Sequence, residues 1–433
     1  MLIGGRGENF RASGYFFLHR ASVRDARAGM AREASLCYTG RTDARTLPSA
    51  PEARMLLSIV IPTYNMAEWL PVALESCLWQ TRGDFEVIVL DDGSTDAGPD
   101  IARAYARLDS RLRVISQSNA GLGAARQAGQ DAAGGDCITW LDADDFLAPE
   151  AVAAWLAPAE RGADMVCANA VAFSHRTFNA RRYFYHPPAE GLRFDHSPEY
   201  WKSKVVWRWI ISLPFIRRHG LTHPRYKLGQ DVCFMYAALV RAERFSQCAP
   251  FAYYFRQEHK SAHSSVQVQV EHALAHFIEA RDILLNPPDG VPRRKSLIRY
   301  LNENYWRDVR KLAPRLVGPD AVWKDRAIEL GLALFQGLDP AWFRAAALAP
   351  EVREESAFLP LADALIAGDA DTARALFDQL RDAPLRAPDK NTLFHTLRHR
   401  AKALVHPLAR SARTYLRELE SRAARRFPGN GAA

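Results

Sequence analysis

The chain has 433 residues, of which 48% are hydrophobic and 24% are charged, and it carries a net charge of +8. This length predicts two or three domains with enough apolar material for a buried core. The positive charge is concentrated at the ends, because residues 1–54 carry +4 and residues 392–427 carry +7. Since the remaining sequence is slightly acidic, we do not expect a nucleic-acid-binding protein.

Six cysteines are scattered along the chain, and no two of them form a CxxC pair. This usage predicts a reducing compartment and excludes a disulfide framework or a thiolate metal site. The chain has no apolar run of eighteen residues, so we expect no transmembrane helix. The N-terminus lacks a basic segment followed by an apolar core, so a secretory signal is not expected. These features together predict a cytoplasmic protein.

The first element in chain order is residues 1–54, which show no sustained hydrophobic periodicity. We expect this segment to be a disordered extension or the product of a misassigned start codon ahead of Met55. From Met55 onward, short apolar runs alternate with helical patterns. The runs lie at 57–62, 85–90, 112–116, 137–141 and 164–168. This alternation predicts an α/β fold over 55–265, with a mainly parallel sheet and helices on both faces.

The second half of the chain has two parts. Residues 151–265 are less regular and dense in aromatic residues, so we expect them to form the half of the domain opposite 55–150. Residues 266–433 read as an α-helical C-terminal region, with a helix–turn–helix at 362–380 and a basic helix at 392–427.

Three polar loops follow predicted parallel strands: PTYN (62–65), DDGSTD (91–96) and DADD (142–145). Ligands of such sheets gather beyond the carboxyl ends of the strands, so the loops should share one rim. The close carboxylates of Asp142, Asp144 and Asp145 repel one another unless a divalent cation lies between them. Mg²⁺ or Mn²⁺ held there would complete its shell with substrate phosphate oxygens. The alternative is that Asp145 caps the following helix and its neighbours are solvated.

The other two loops and the helix before DADD offer further ligand contacts. Asp92 could accept a hydrogen bond from a base N–H or a ribose hydroxyl, or could simply form an Asx turn. Tyr64 could stack on a base, or could lie in an ordinary strand-exit turn. Arg126 could bind phosphate or pair with an acidic residue of the rim, or could be a solvated helix residue.

Four motifs in this order, LSIVIPTYN, VIVLDDGSTD, NAGLGAARQAG and ITWLDADDFLAP, resemble the family 2 glycosyltransferases over residues 57–150. The resemblance implies a GT-A fold, a nucleotide-sugar donor (most often a UDP-sugar), a divalent metal on the DxD motif, and inversion at the anomeric carbon. By position, it assigns the nucleotide-sugar to Pro62, Thr63, Tyr64, Asp92 and Asp142, to which we add Asn65 and Arg126 from their own chemistry. It assigns the Mn²⁺ or Mg²⁺ to Asp144 and Asp142.

An acceptor hydroxyl also needs a general base on the far side of the sugar, which we expect in the acceptor half of the domain (151–265) rather than in the nucleotide half (55–150). Asp231, at the start of a helical pattern, resembles the Asp of the family's Gly-Glu-Asp motif, with Gln230 in place of the Glu. The alternative is that Asp231 is only a helix N-cap.

The basic helix at 392–427 also has an apolar side. It could lie on an anionic membrane beside a lipid-linked acceptor, at the inner face of the cell membrane, or could pack on its own domain.

The sequence thus predicts a metal-dependent, inverting glycosyltransferase of surface-polysaccharide assembly that transfers a sugar to a saccharide or lipid-linked saccharide. It lacks the QxxRW motif of processive synthases, which favours transfer of a single sugar. Two alternatives remain. The first is an inactive nucleotide-sugar-binding scaffold, which Gln230 in place of the family Glu would be consistent with. The second is a sugar-phosphate nucleotidyltransferase, although such an enzyme requires a Gly-rich, Arg-containing loop where this sequence has PTYN.

Overall fold

The structure is a computed structural model that describes residues 54–174, 176, 180–257, 265–343, 358–382 and 407–426. The predicted extension at 1–54 lies outside these residues except for Arg54, and so does the first part of the basic helix predicted at 392–427.

A ten-stranded sheet forms the centre of the protein. Its strands are β1 (Leu57–Thr63), β2 (Phe85–Asp91), β3 (Leu112–Ser116), β4 (Cys137–Trp140), β5 (Phe146–Leu147), β6 (Met165–Phe173), β7 (Ala180–Phe184), β8 (Ala189–Leu192), β9 (Trp209–Ser212) and β10 (Phe245–Arg256). The strand order is β3-β2-β1-β4-β9-β6-β10-β5, with β7 beside β6 and β8 beside β10.

Thirteen α-helices surround or follow the sheet in the described part of the chain. They are α1 (Leu70–Leu78), α2 (Gly98–Leu108), α3 (Leu122–Ala132), α4 (Ala151–Glu160), α5 (Leu213–His219), α6 (Gln230–Leu239), α7 (Ala275–Leu285), α8 (Arg294–Tyr300), α9 (Trp306–Leu312), α10 (Trp323–Phe335), α11 (Phe358–Ala367), α12 (Ala370–Asp382) and α13 (Pro407–Arg426). One helical turn (Val266–Val268) and a π-helical stretch (Gln269–Leu274) lead into α7, and a second π-helical stretch (Leu301–Tyr305) joins α8 to α9.

The nucleotide half has the parallel sheet that the sequence predicts. Strand β1 is parallel to both β2 and β4, and β2 is parallel to β3. Alternate residues of β1 face opposite sides: Ile59 and Ile61 pack with α1 and α4, whereas Val60 packs in the core on the other side. Because both faces are covered, every residue of β1 is buried, which explains the unbroken apolar run in the sequence.

The acceptor half differs from a simple parallel sheet. Strand β9 runs antiparallel to both β4 and β6, whereas β10 is parallel to β6. The short β5, β7 and β8 are all antiparallel to their partners. The sheet is therefore parallel among β1 to β4 and mixed among the remaining strands.

The C-terminal helices share the core of one sheet face. Trp140 and Met165 of the sheet belong to the same buried cluster as Phe277, Trp306 and Phe358 of the helical region. The predicted helix–turn–helix at 362–380 is confirmed as α11 and α12, with Gly368 between them. Helices from distant parts of the chain can therefore contribute side chains near the rim of the sheet.

The final helix α13 packs beside α1. Its apolar residues Tyr415, Leu416 and Leu419 are buried, and Tyr415 lies 5.6 Å from Trp79 between ring centroids. The apolar side of the described part of the basic helix is therefore covered by its own domain. Of the two possibilities raised by the sequence, this is packing on the domain rather than lying on a membrane with the apolar side. Across the described residues, we find no helix both long and apolar enough to cross a bilayer.

Candidate functional site

The loops PTYN and DDGSTD meet at the rim and hold each other. The Asn65 amide oxygen accepts a hydrogen bond from the Thr95 backbone N–H at 2.8 Å, and the Ser94 hydroxyl accepts one from the Asn65 N–H at 3.1 Å. Asn65 has a positive φ of 54°, a conformation that Asn tolerates better than most residues. The structure thus shows Asn65 tying the two loops together, and its predicted contact with a nucleotide stays a prediction.

The other PTYN residues line the end of β1. Pro62 is buried within the strand, and Thr63 is buried with a hydroxyl that has no hydrogen-bond partner among the described residues. Tyr64 is 46% exposed, so its ring is open to a stacking partner. This arrangement leaves a free ring and an unused hydroxyl at the predicted nucleotide site.

Asp92 is buried at the end of β2, and three donors of the loop before α3 reach its carboxylate. Gln117 Nε2 and the Ala120 N–H donate to Oδ1 at 2.7 and 2.9 Å, and the Gly121 N–H donates to Oδ2 at 2.8 Å. The Asx turn is instead made by Asp91, which accepts from the Ser94 N–H. A carboxylate has about four acceptor sites, so Asp92 retains room for one donor from a base or ribose.

Asp145 does not cap the following helix, so that alternative is wrong. Helix α4 begins at Ala151 after Glu150, and no side chain caps it. Asp145 is instead buried, accepting from the Tyr253 hydroxyl and from the Arg256 backbone N–H, both at 2.7 Å. Burial, followed by the charges of Asp144 and Asp142, raises the pKa of Asp145 well above its usual value. Asp145 therefore anchors the DADD loop to β10.

Arg126 pairs with the rim, as one of its predicted roles requires. Its Nη2 lies 2.8 Å from Asp142 Oδ1, and the Arg126 side chain is 3% exposed whereas that of Asp142 is 27% exposed. Arg126 Nε and Nη1 have no hydrogen-bond partner among the described residues. A buried guanidinium with two unused donors is costly unless a ligand completes its hydrogen bonds, so a phosphate of the donor would suit this place.

The DADD loop is also the predicted site of the Mn²⁺ or Mg²⁺ ion. Within the described parts of the chain, no three His, Cys, Asp or Glu side chains converge as a protein-only metal site. Asp142 and Asp144 are both partly exposed, whereas Asp145 is buried and used by β10. Two carboxylates at a rim fit a Mg²⁺ or Mn²⁺ ion that takes its other ligands from substrate phosphate and water.

Asp231 lies in the first turn of α6 and is not its N-cap, which is Gly229. Gly229 has a φ of +84°, and a Cβ placed there would lie 2.3 Å from the His276 ring. Only glycine satisfies both the left-handed conformation and this close approach, so the start of α6 is held firmly against the C-terminal region.

Asp231 lies near two residues of the rim, because the start of α6 packs on the start of α3, where a Cβ added to Gly123 would lie 3.6 Å from the Gln230 Cβ. Burial raises the pKa of Asp231, the charges of Arg126 and Lys204 oppose that effect, and the charge of Asp142 adds to it. Asp231 therefore lies within electrostatic range of the Arg126–Asp142 pair, which belongs to the nucleotide half. The structure thus brings together three predicted site residues from two halves of the domain.

A cavity of about 390 Å³ opens beside Asp231. Lys204 lines it from the acceptor half, and Arg307, Asp308 and Lys311 of α9 line it from the C-terminal region. Sequence reasoning missed these four residues because no motif surrounds them. The only sequence signal for Arg307, Asp308 and Lys311 was the excess of charged residues on the short helix α9.

The sequence of the chain was then compared with known proteins. The model of Glycosyl transferase family 2 matches residues 58–211. Residues 58–211 are therefore a glycosyltransferase family 2 region. The chain is 41% identical over 113 residues to EpsH of Bacillus subtilis, a protein named as a glycosyltransferase. The matched residues make up 26% of this chain and 33% of EpsH. The chain is 27% identical over 221 residues to a poly(ribitol-phosphate) beta-glucosyltransferase of Bacillus spizizenii, covering 49% of this chain and 34% of that protein.

The fold of the chain resembles that of S. aureus TarS residues 1–349. The TM-score is 0.61 at 19% identity, over 77% of this chain and 93% of the other. The TarS structure in complex with UDP-GlcNAc gives a TM-score of 0.60. This likeness confirms the predicted GT-A fold. The chain spans about a third of the length of the two sequence relatives named above.

Proposed function

We propose that the protein is a metal-dependent, inverting glycosyltransferase that moves a sugar from a UDP-sugar to a hydroxyl of a saccharide or lipid-linked saccharide. The observation that carries this proposal is the position of Asp231, which belongs to the acceptor half but lies within electrostatic range of the Arg126–Asp142 pair of the nucleotide half. Transfer from a nucleotide-sugar requires a general base, a cation and carboxylates that lie close to one another.

The donor side of the proposal uses the nucleotide rim. Tyr64 offers an exposed ring for the base, and Asp92 has one acceptor site left for a base N–H or ribose hydroxyl. Arg126 offers its two unused donors to the diphosphate. A UDP-sugar is supported by the structural likeness to TarS, whose structure was solved with UDP-GlcNAc.

The metal would be held by Asp142 and Asp144 together with diphosphate oxygens. When bound, Mn²⁺ or Mg²⁺ supplies positive charge that stabilises the leaving diphosphate. Asp145 keeps this loop in position through Tyr253 and the Arg256 backbone N–H, and the Arg256 guanidinium donates to the Asp144 carbonyl at 2.7 Å.

The acceptor side of the proposal uses Asp231. Its carboxylate takes the proton of the acceptor hydroxyl while the oxygen attacks the anomeric carbon. The bond from that carbon to the diphosphate breaks, and the electron pair leaves on UDP. A carboxyl whose pKa is raised by burial is a stronger base than an exposed one, which suits this step.

The proposal places the protein in surface-polysaccharide assembly at the cytoplasmic side of the cell membrane. The name of one relative, a poly(ribitol-phosphate) beta-glucosyltransferase, supports a polymeric acceptor. The apolar side of α13 is covered, so a membrane would be met through outward residues such as Arg417. A single-sugar product follows from the absence of QxxRW in the sequence.

The test is release of UDP from a panel of UDP-sugars by the full chain, with Mn²⁺, Mg²⁺ or EDTA. We expect turnover of at least one donor and its loss in EDTA. Replacing Asp231→Asn should lower kcat by about 10²–10⁴-fold, the usual contribution of a general base. UDP affinity, measured by calorimetry, should change by less than about twofold because Asp231 is not assigned to the nucleotide.

The matched control is Asp100→Asn, which removes a carboxylate that is 82% exposed on α2. It should leave both turnover and UDP affinity unchanged. If Asp231→Asn keeps full turnover, the base assignment is wrong. If UDP binds but no donor is turned over under any condition, the inactive-scaffold alternative replaces this proposal.

A further inference from the structure

The cavity beside Asp231 is built from two distant parts of the chain. Its volume of about 390 Å³ falls within the range of small-molecule sites, roughly 300–1,000 Å³. Asp231 and Lys204 line one side, and Arg307 and Lys311 line the other, one helical turn apart on α9. The cavity therefore lies where an acceptor must place its hydroxyl, and the C-terminal region forms one of its walls.

Two of the cations in this cavity converge on one neutral oxygen. Lys204 Nζ donates to Asn304 Oδ1 at 2.8 Å, and Arg307 Nη2 donates to the same atom at 2.7 Å. Lys204 also lies over the Tyr300 ring, 4.2 Å from its centroid. An amide oxygen cannot neutralise either charge, so the two cations repel each other across it.

The acidic residues nearby compensate this charge only in part. Among the described residues, neither Lys204 nor Lys311 has an ion pair within 4 Å, and the Arg307–Asp308 pair is long at 3.9 Å. The cavity thus carries three cations against Asp231 and Asp308, and Asp231 is assigned to the proton of the acceptor. Burial of Lys204 lowers its pKa to about 7, because desolvation disfavours its charged form and the nearby carboxylates offset this only in part.

We propose that the acceptor carries an anionic group, phosphate or carboxylate, which Lys204, Arg307 and Lys311 bind while its hydroxyl faces Asp231. This inference rests on the proposed glycosyl transfer and names the chemical class of its acceptor. An anion between the three cations would receive charge-assisted hydrogen bonds, which are about twice as strong as neutral ones. Arg307 is 54% exposed, so it is accessible to an acceptor that enters from solvent.

The test measures the binding of three sugars to the full chain saturated with UDP and Mn²⁺. Glucose, glucuronate and glucose 6-phosphate have the same ring and differ in the anionic group, so they separate a neutral, a carboxylate and a phosphate acceptor. We expect calorimetry or ligand-observed NMR to show one anionic sugar binding at least tenfold more tightly than glucose. Arg307→Gln and Lys311→Gln should each weaken that binding at least fivefold and leave glucose binding unchanged.

The matched control is Arg310→Gln, which removes the same charge from the same helix at a residue that does not line the cavity. Arg310→Gln should leave the binding of all three sugars unchanged. Equal affinity for all three sugars, or an equal loss in Arg310→Gln and Arg307→Gln, would overturn the inference. If UDP binds normally in that case, the proposed function stands without it, whereas failure of the wild-type chain to bind UDP contradicts both.

Discussion

The rim of the sheet and the cavity beside Asp231 are built in different ways, although Asp231 lies near both of them. At the rim, Asp92 is held by a loop 25–29 residues away, and Asp142 pairs with Arg126 sixteen residues away. In the cavity, Lys204 bonds to Asn304 across 100 residues, and Gly229 packs on His276. A site made by neighbouring loops leaves motifs in the sequence, whereas a site made by packing distant helices leaves few.

The largest expected effect is a loss of stability at helix α1. This helix is an exception to the comparison, because it belongs to the nucleotide half but is held by α13 at the far end of the chain. Glu75 of α1 is fully buried, pairs with Arg426, and lies 3.5 Å from Arg422. Replacing both arginines with Gln leaves the carboxylate buried without a cation, and we expect the free energy of unfolding to fall by about 3–5 kcal/mol. Urea denaturation of the full chain measures this loss.

The control for this prediction adds Glu75→Gln to the double variant, which should restore most of the lost stability because no buried charge remains. Glu75→Gln alone should cost less than the double change, since Arg422 and Arg426 are about 30% exposed and can be hydrated. A triple variant no more stable than the double variant would show that the arginines contribute packing rather than charge.

A middle-sized effect is expected at the junction between the two regions. In Gly229→Ala, the left-handed backbone conformation costs about 1–2 kcal/mol, and the clash with His276 adds a similar amount. Donor turnover should fall at least about tenfold because Asp231 shifts, while UDP affinity should stay unchanged. The measurement is UDP release together with UDP calorimetry.

Gly162→Ala serves as the matched control for that change. Gly162 has a φ of +90° with nothing within 4 Å of an added Cβ, so it reports the backbone strain alone. It should lower stability without changing turnover. Equal turnover in the two variants would show that the contact of Gly229 with His276 does not position Asp231.

The smallest expected effect is a pH dependence in the cavity beside Asp231. The pKa of Lys204 is about 7 in the fold and near 10.5 in the unfolded chain, so between these values the unfolded chain binds more protons. The free energy of unfolding should therefore rise with pH across this window. The stability gained by deprotonating Lys204 is lost again as the pH falls back to 7. The groups around Lys204 are Asp231, Glu303, Arg307 and Asp308.

Replacing Lys204→Met should flatten this slope by no more than about 1 kcal/mol per pH unit, since Lys204 is partly exposed and water screens its charge. Denaturation midpoints between pH 6 and 9.5 measure the slope. Lys202→Met is the control, because Lys202 is 54% exposed and pairs with Glu303 at the surface. An unchanged slope in Lys204→Met would mean that Lys204 stays fully charged in the fold.

Strands β1 to β4 could be predicted to within one residue at each end, and β3 was predicted at its observed bounds. Strand β6 extends to Phe173, beyond the predicted 168, because β7 and β10 continue to pair with it. The mixed acceptor half could not be read from hydrophobic pattern, since its short antiparallel strands depend on their partners.

The role of Asp145 shows the same limit within a motif. Its sequence neighbours suggested a helix cap, whereas its partners Tyr253 and Arg256 lie more than 100 residues away. The pairing of Arg126 with Asp142 was one of the stated possibilities, because both residues flank the same strand β4. Local neighbours can be anticipated from spacing, but a partner on another strand cannot.

The sequence by itself determined the parallel strands β1 to β4, the three loops on their rim and the family that residues 58–211 match, because strands buried on both faces and their polar ends follow local patterns. Only the tertiary structure decided that Asp145 anchors a loop, that α13 covers α1, and that Lys204, Arg307 and Lys311 surround one cavity beside Asp231. These features arise from packing between segments 100 or more residues apart, which no local pattern encodes.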